Sequence, residues 1–214
     1  MEKLLPKQKY YENVANTIIK NLSKRQIEGY YCKDKESAVK KALELIPKEA
    51  SVSWGGSMTL TETGLMDAIK NGDYKLIDRD AATNLEEQRK VYGEICMSDV
   101  FLMSTNAITL DGELINIDGR GNRVAFLCYG PQNVVILAGM NKIVTDVESG
   151  LKRVRDIASP PNTVRLNKKT PCAITGKCED CYSPDCICGQ FVVTRRSGVP
   201  NRIKIILIGE ELGY

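Results

Sequence analysis

Five of the eight cysteines fall within one short segment, TPCAITGKCEDCYSPDCICGQ. They are Cys172, Cys178, Cys181, Cys186 and Cys188. Thiolates bind zinc and iron–sulfur clusters, and Cys178 and Cys181 have the CxxC spacing that such sites use. Gly176 and the Pro184-Asp185 pair permit turns that would bring neighbouring sulfurs together. Three interpretations stay open: zinc or another structural metal, an iron–sulfur cluster, or thiols without a metal, reduced or paired as disulfides.

The chain has no histidine, and its other three cysteines are isolated. The absence of histidine excludes Ser-His-Asp and Cys-His catalysis and mixed Cys-His metal sites, so any chemistry must use carboxylates, thiolates, Tyr, Lys or Arg. Cys32, Cys96 and Cys128 lie on apolar stretches, and we expect them to be buried, because free cysteine packs as a small hydrophobic residue.

Two glycine turns could each hold an anion at the start of a helix. In the first, SWGGSMTLTE, two glycines permit close approach of a ligand, and a hydroxyl can cap the helix that follows. Its candidate ligand-binding residues are Gly55, Gly56, Ser57 and Thr59. The alternative is that this segment only turns the chain and caps a helix.

The second turn, IDGRGNRVAF, carries two guanidinium groups. Its candidate ligand-binding residues are Gly119, Arg120, Gly121, Asn122 and Arg123. The planar guanidinium matches a carboxylate or a phosphate, so Arg120 and Arg123 could form a clamp for either anion. Alternatively, the two arginines pair with Asp118 and Glu113 at the surface.

Two carboxylates are candidates for proton transfer, Glu62 after the first turn and Asp118 before the second. A carboxylate beside apolar neighbours can acquire a pKa suited to acid–base catalysis. Glu62 could equally be a solvated helix residue that faces the helix dipole, and Asp118 could simply shape its turn.

Apolar spacing predicts the elements that position these residues. Two helices lead in, and the second stops at Pro47. A strand at 51–54, a helix at about 59–70 and a strand at 74–78 then form one βαβ unit. Strands and helices continue to alternate, with a hairpin at Asp111-Gly112 and a helix closed by Pro160 and Pro161. This alternation predicts an α/β fold with a mainly parallel sheet, from which the cysteine segment makes an excursion.

Composition narrows the classes of function. The chain has 214 residues and a net charge of +3, with its lysines scattered, so we expect no nucleic-acid partner. The sequence has no apolar run long enough to span a membrane and no signal-peptide core, so we expect a cytoplasmic protein without a membrane partner. No GxGxxG or GKS nucleotide motif occurs.

The segments SVSWGGSMTLTETGLMDAIKNGDYKLIDRD and SDVFLMSTNAITLDGELINIDGRGNRVAFLCYG, with the sequence that follows them, resemble the lactate-utilisation (LUD) domain family. The resemblance implies one LUD domain over residues 1–214, with N-terminal helices at about 7–47 and the cysteine-rich excursion at about 170–189. It also implies the three-layer α/β/α fold of ribose-5-phosphate isomerase, glucosamine-6-phosphate deaminase and the CoA transferases. In those relatives glycine turns hold phosphate or acyl groups, so the two turns should face each other across a crevice.

The resemblance further implies a role and a set of metal ligands. Small stand-alone family members have the pattern TPCA.TGKC.DC.SPD.IC, whose matching cysteines are Cys172, Cys178, Cys181 and Cys188; Cys186 is then an additional thiol. The family implies a small-anion-binding component of lactate oxidation that acts with iron–sulfur redox proteins. The alternative is a non-enzymatic binding or regulatory module that responds to metal or redox state. An isomerase or CoA-transferase-like activity, and a homo-oligomer, also stay open.

Overall fold

The computed structural model describes residues 5–214, which fold around two β-sheets. The strands are β1 (Glu28–Cys32), β2 (Ser51–Trp54), β3 (Lys75–Leu76), β4 (Val100–Met103), β5 (Ala107–Thr109), β6 (Leu114–Asp118), β7 (Asn133–Gly139), β8 (Ile143–Val144), β9 (Gln190–Thr194) and β10 (Ile203–Ile208). The α-helices are α1 (Pro6–Lys24), α2 (Lys35–Leu45), α3 (Met58–Glu62), α4 (Leu65–Lys70), α5 (Leu85–Cys96), α6 (Asn122–Cys128), α7 (Val147–Arg153), α8 (Ser159–Arg165) and α9 (Pro171–Thr175).

The central sheet has six parallel strands in the order β1-β10-β7-β4-β2-β3. Alternate residues of its inner strands enter two different cores, as the two-residue period of a strand requires. Val134 and Ile136 of β7 pack in the core with residues of α1, α5 and α6, whereas Val135 and Leu137 pack with residues of α2, α3 and α4. Helices therefore cover both faces of the sheet, and the predicted α/β/α fold is confirmed.

A second sheet has the strand order β8-β5-β6-β9. Its β5 and β6 are antiparallel and joined through Asp111-Gly112, so the predicted hairpin is confirmed. The sequence did not indicate a separate sheet, since strands of two to five residues carry little pattern of their own. Beneath it, Ile115 and Ile117 pack against Val154 and Ala158.

Three elements differ from the sequence-based predictions. The helix predicted at about 59–70 is two short helices, because Gly64 adopts a left-handed φ of 78° between them. Strand β1 was not predicted between the two leading helices. The helix predicted to end at Pro160 and Pro161 instead continues through a π-helical turn at Val154–Ala158 into α8. The two prolines lie in the first turn of α8, where backbone amides make no helical hydrogen bond, so the missing N–H of proline is tolerated.

Within residues 5–214, no helix is both long enough and apolar enough to cross a membrane.

Candidate functional site

A polar crevice of about 240 Å³ lies beyond the carboxyl ends of the parallel strands. Ser57, which follows β2, Ser104, which follows β4, and Lys142, which follows β7, all line it. Tyr214, beyond the end of β10, lies at the same place. In parallel α/β sheets this edge is the usual place for a ligand, because the loops that leave the strands converge there.

The two glycine turns meet at this crevice. Gly56, Ser57 and Thr59 of the first turn line it, as do Gly119, Arg120, Asn122 and Arg123 of the second. Gly55 lies behind the lining, where a Cβ atom would come within 3.4 Å of Arg123 Cδ. Gly121 has a φ of 86° and packs against Gln190, so it shapes the loop without lining the crevice.

The first glycine turn caps α3, as expected both for a ligand-binding turn and for one that only caps a helix. Ser57 Oγ accepts a hydrogen bond from the amide of Leu60 at 3.3 Å. Thr59 is buried, and its hydroxyl donates to the carbonyl oxygen of Leu212 at 3.2 Å. The carboxyl-terminal segment is therefore attached to the crevice wall.

Arg123 is held by protein acceptors on every side. Its Nη1 donates to Asn116 Oδ1 at 2.7 Å and to the Ser104 carbonyl at 3.2 Å, and its Nη2 donates to Asn106 Oδ1 at 2.9 Å and to the Ile117 carbonyl at 3.0 Å. Its Nε lies 3.6 Å from Asp118 Oδ1, and its side chain is 13% exposed. The guanidinium therefore joins the two sheets beneath the crevice. Its Nη1 and Nη2 groups each donate two hydrogen bonds to the protein, so neither has a free hydrogen for a ligand.

Asp118 supports the same loop. Its Oδ2 accepts hydrogen bonds from the amides of Arg123 at 3.1 Å and Val124 at 3.4 Å. Glu62 lies outside the crevice lining and accepts a hydrogen bond from the Gly213 amide at 2.7 Å. Both proton-transfer candidates thus have structural partners, and of the two only Asp118 lines the crevice.

Basic side chains dominate the crevice. The lining includes Arg79, Arg120, Arg123, Lys142 and Arg165, whereas its one carboxylate side chain is that of Asp118. Arg120 is exposed and donates no hydrogen bond to the other described residues. Arg79 Nε is buried and likewise has no hydrogen-bond partner among residues 5–214. Arg79 and Arg165, which were not singled out from the sequence, do have neighbours: Arg79 Nε lies 3.4 Å from Asp80 Oδ1, and Arg165 donates to Asn162 Oδ1. Among the described residues, Arg120 is therefore the cation of the lining that has no protein partner.

Lys142 is the most deeply buried of these cations, with 3% of its surface exposed. Its Nζ donates to Thr59 Oγ1 at 2.8 Å and to Ser104 Oγ at 3.0 Å. Burial, followed by the positive charges of Arg153 and Arg123, lowers the pKa of Lys142 to about 7. Sequence reasoning missed this residue because the segment NKIVTD shows no motif; only folding brings Lys142 to the two hydroxyl groups.

All five clustered cysteines line a second cavity of about 470 Å³, the cysteine cavity. Cys172 Sγ lies 3.3 Å from the Thr170 hydroxyl, Cys178 Sγ accepts from Arg155 Nε at 3.5 Å, and Cys188 Sγ donates to Ser159 Oγ at 3.4 Å. Burial raises the pKa of the Cys188 thiol to about 11. The thiols are free rather than disulfide-bonded.

The thiols share a cavity without being gathered around one point. Among residues 5–214, no group of three or more His, Cys, Asp or Glu side chains is arranged to hold a metal ion. The donor set itself, four or five sulfurs without histidine, suits a soft metal. Metal binding at Cys172, Cys178, Cys181 and Cys188 would therefore require the four sulfurs to move towards one point, and those of Cys172, Cys178 and Cys188 would leave their present hydrogen-bond partners.

The other three cysteines differ in burial. Cys32 is buried at the end of β1, as predicted. The prediction for Cys96 and Cys128 was wrong, because both are exposed. Each ends an amphipathic helix, where the apolar neighbours turn inward and the last residue faces solvent.

The polar crevice and the cysteine cavity share a wall. Ser159 and Ile187 line both. The Gly189 amide donates to the Asp118 carbonyl at 3.0 Å, and a Cβ atom on Gly189 would lie 2.6 Å from the Gly119 carbonyl oxygen. The cysteine segment therefore packs directly against the second glycine turn.

These features define an α/β protein with a parallel six-stranded sheet and a cationic crevice at the carboxyl ends of its strands. A family model described as LUD domain matches residues 15–208, and the chain belongs to this family. The family connects the chain with lactate utilisation in general terms.

Similarity to one solved structure supports the fold, and a second match is weaker. The chain is similar to a DUF162 family protein from Deinococcus radiodurans, with 13% identity and a TM-score of 0.54, over 92% of this chain and 98% of that one. Ribose 5-phosphate isomerase A from Neisseria gonorrhoeae matches with 15% identity and a TM-score of 0.35, over 53% of this chain and 54% of that one. A comparison with curated proteins gave no match.

Proposed function

We propose that this protein binds a small carboxylate, such as a 2-hydroxy or 2-oxo acid, in the polar crevice. In this proposal it is a cytoplasmic component of lactate oxidation that works with iron–sulfur redox proteins. The single observation that carries the proposal is the charge of the crevice, whose lining has five basic side chains and one carboxylate side chain, that of Asp118, which pairs with Arg123. Membership of the LUD domain family supports the choice of substrate class.

The size and chemistry of the crevice suit such a ligand. A volume of about 240 Å³ admits an acid of a few carbon atoms. Arg120 and Arg165 can reach a carboxylate from the rim, because both residues are exposed and line the crevice. Arg165 Nε and Nη2 donate to Asn162 Oδ1, and its Nη1 has no partner among the described residues. Ser57 and Ser159 add hydroxyl groups that can donate to the same ligand or to its 2-oxygen. Charge-assisted hydrogen bonds of this kind are the strongest that side chains offer to an anion.

The proposal includes a redox partner because of the electron balance. Oxidation of a 2-hydroxy acid to a 2-oxo acid releases two electrons and two protons. Lys142 lines the crevice and could accept a proton, whereas the electrons need an acceptor. The family resemblance supports iron–sulfur proteins as that acceptor.

Arg120→Ala and Arg165→Ala should each weaken binding of pyruvate or lactate by roughly tenfold, which corresponds to loss of one charge-assisted hydrogen bond of about 1.4 kcal/mol. Isothermal titration calorimetry of the full chain measures this. Arg89→Ala, an exposed position outside the crevice, is the matched control. Unchanged affinity in both crevice variants would contradict the proposal.

The cysteine cavity supports a second candidate function, a module that binds a metal or responds to redox state. The observation that favours it is the convergence of all five clustered thiols on one cavity. Cys172, Cys178, Cys181 and Cys188 would hold zinc or an iron–sulfur cluster, and Cys186 would remain outside the set. Zinc would act as a structural clip, whereas a cluster would supply electron transfer.

Protein purified anaerobically should contain about one zinc, or iron with sulfide and a broad visible absorption, per chain. Cys178→Ser should lose the metal because it removes half of the CxxC pair. Cys186→Ser and the surface variant Cys96→Ser should retain it. Elemental analysis and absorption spectra decide between the outcomes; equal metal content in all four proteins would contradict the assignment of ligands, and absence of metal would leave the polar crevice as the only candidate site.

A further inference from the structure

Lys142 is a buried amine that the proposed anion binding does not explain. An arginine at the rim can attract a carboxylate without help from a lysine below it. Burial of a cation without a paired carboxylate costs free energy, so a lysine at this position calls for a chemical reason. Both hydrogen-bond partners of Nζ among the described residues are hydroxyl groups, those of Thr59 and Ser104.

Its surroundings favour the uncharged amine. The positive charges of Arg153 on α7 and Arg123 on α6 disfavour the protonated form of Lys142. The negative charge of Glu62 on α3 acts in the opposite direction and favours the protonated form. Tyr214 also lines the crevice beside it. Desolvation and neighbouring cations are the conditions that make a lysine nucleophilic towards carbonyl carbon near neutral pH. The amine lines the crevice, so a bound ligand can reach it.

The hydrogen bonds account for both hydrogens of the neutral amine. A neutral amine has two hydrogens and one lone pair. Thr59 Oγ1 at 2.8 Å and Ser104 Oγ at 3.0 Å accept the two hydrogens, so the lone pair has no hydrogen-bond donor among these partners. The two hydroxyl groups thereby orient Nζ and can relay protons to and from it.

We propose that Lys142 is a nucleophilic amine that forms an imine with the carbonyl carbon of a 2-oxo acid bound in the polar crevice. This inference rests on the proposed function for the position of the ligand's carboxylate, which the rim arginines would hold. It narrows the ligand class to acids with a carbonyl group at C2, such as pyruvate.

The step balances without an oxidant or a reductant. The Nζ lone pair forms a bond to C2, and the carbonyl π electrons move to oxygen. One proton passes from nitrogen to that oxygen, which gives a carbinolamine. The second nitrogen proton then leaves with the hydroxyl group as water, and the C=N bond forms. Thr59 and Ser104 are placed to carry both protons.

The test is reductive trapping with the full chain at pH 7. Pyruvate and cyanoborohydride should add one carboxyethyl group, located at Lys142 by mass spectrometry of the digested protein. Labelling at Lys142 should exceed that at exposed lysines by on the order of tenfold, because the fraction of neutral amine is far higher at this pH. Lys142→Met should lose the label, and Lys204→Met, which removes a half-buried lysine outside the crevice, should keep it.

Two further arms separate this inference from the proposed function. Propionaldehyde, which has a carbonyl group and no carboxylate, tests the amine alone, and calorimetry with pyruvate tests binding alone. Pyruvate that binds in an Arg120-dependent manner while neither reagent labels Lys142 would overturn the imine. Preferential labelling of Lys142 by propionaldehyde without binding of pyruvate would overturn the carboxylate site and support the nucleophilic amine.

Discussion

Lys142→Met raises the free energy of unfolding at pH 7 by about 2–4 kcal/mol, because it removes a charge that the folded protein accommodates poorly. The pKa of Lys142 falls from its ordinary 10.5 to about 7 on folding. Below pH 7 the amine is protonated in both states, and the full penalty is present. Between pH 7 and about pH 10.5 the unfolded chain binds more protons than the folded one, so the penalty shrinks as pH rises.

The stabilisation by Lys142→Met should therefore be largest at pH 6–7 and nearly absent at pH 10. Chemical denaturation of both proteins at several pH values measures it, with the exposed Lys90→Met as control. Thr59 and Ser104 keep hydrogen bonds to the carbonyls of Leu212 and Thr105 in the variant, so little is lost there. A variant that is less stable than the parent at pH 7, or a difference independent of pH, would contradict this account.

Arg123→Met should lower the free energy of unfolding by roughly 3–5 kcal/mol, since it removes a buried charge network and leaves its acceptors unpaired. The guanidinium holds the Ser104 carbonyl after β4 together with Asn116 and Ile117 on β6. No other side chain of the loop replaces these hydrogen bonds, so the two sheets lose a direct connection beneath the crevice.

Arg120→Met is the matched control, because it changes the same residue type in the same loop at an exposed position and should alter stability by less than about 0.5 kcal/mol. Arg123→Lys should recover only part of the loss, since an ammonium group cannot reach acceptors in so many directions. Thermal and urea unfolding give both values. Equal stability of Arg123→Met and Arg120→Met would refute the structural role given to Arg123.

The sequence predicted the α/β class and the position of the first glycine turn because both depend on local signals. Long apolar runs such as those of β7 and β10 identify buried parallel strands, and Asp111-Gly112 identifies a hairpin. Loops that follow parallel strands converge at one edge of the sheet, which places the first turn, after β2, at that edge. The second turn follows β6, an antiparallel strand of the other sheet, so its place opposite the first turn was implied by the family resemblance and not by the strand pattern.

The sequence did not distinguish the roles of individual cations. Arg120 and Arg123 are three residues apart and look equivalent in a sequence, yet one is exposed at the rim and the other is enclosed by acceptors from β4 and β6. The depressed pKa of Lys142 likewise depends on Arg153 and on burial beneath residues distant in the chain. Burial and long-range contact decide such roles, and neither has a local pattern.

The wall shared by the crevice and the cysteine cavity predicts a thermodynamic link between the two proposed sites. Ile187 lines both cavities. Gly189 lies so close to the Gly119 carbonyl that the cysteine segment and the second glycine turn are in direct backbone contact. Inward movement of Cys188, one of the four proposed metal ligands, would shift this wall. A ligand in one site would then change affinity in the other by a coupling free energy, and the effect would be reciprocal, so the state of the thiols and the occupancy of the crevice would each alter the other.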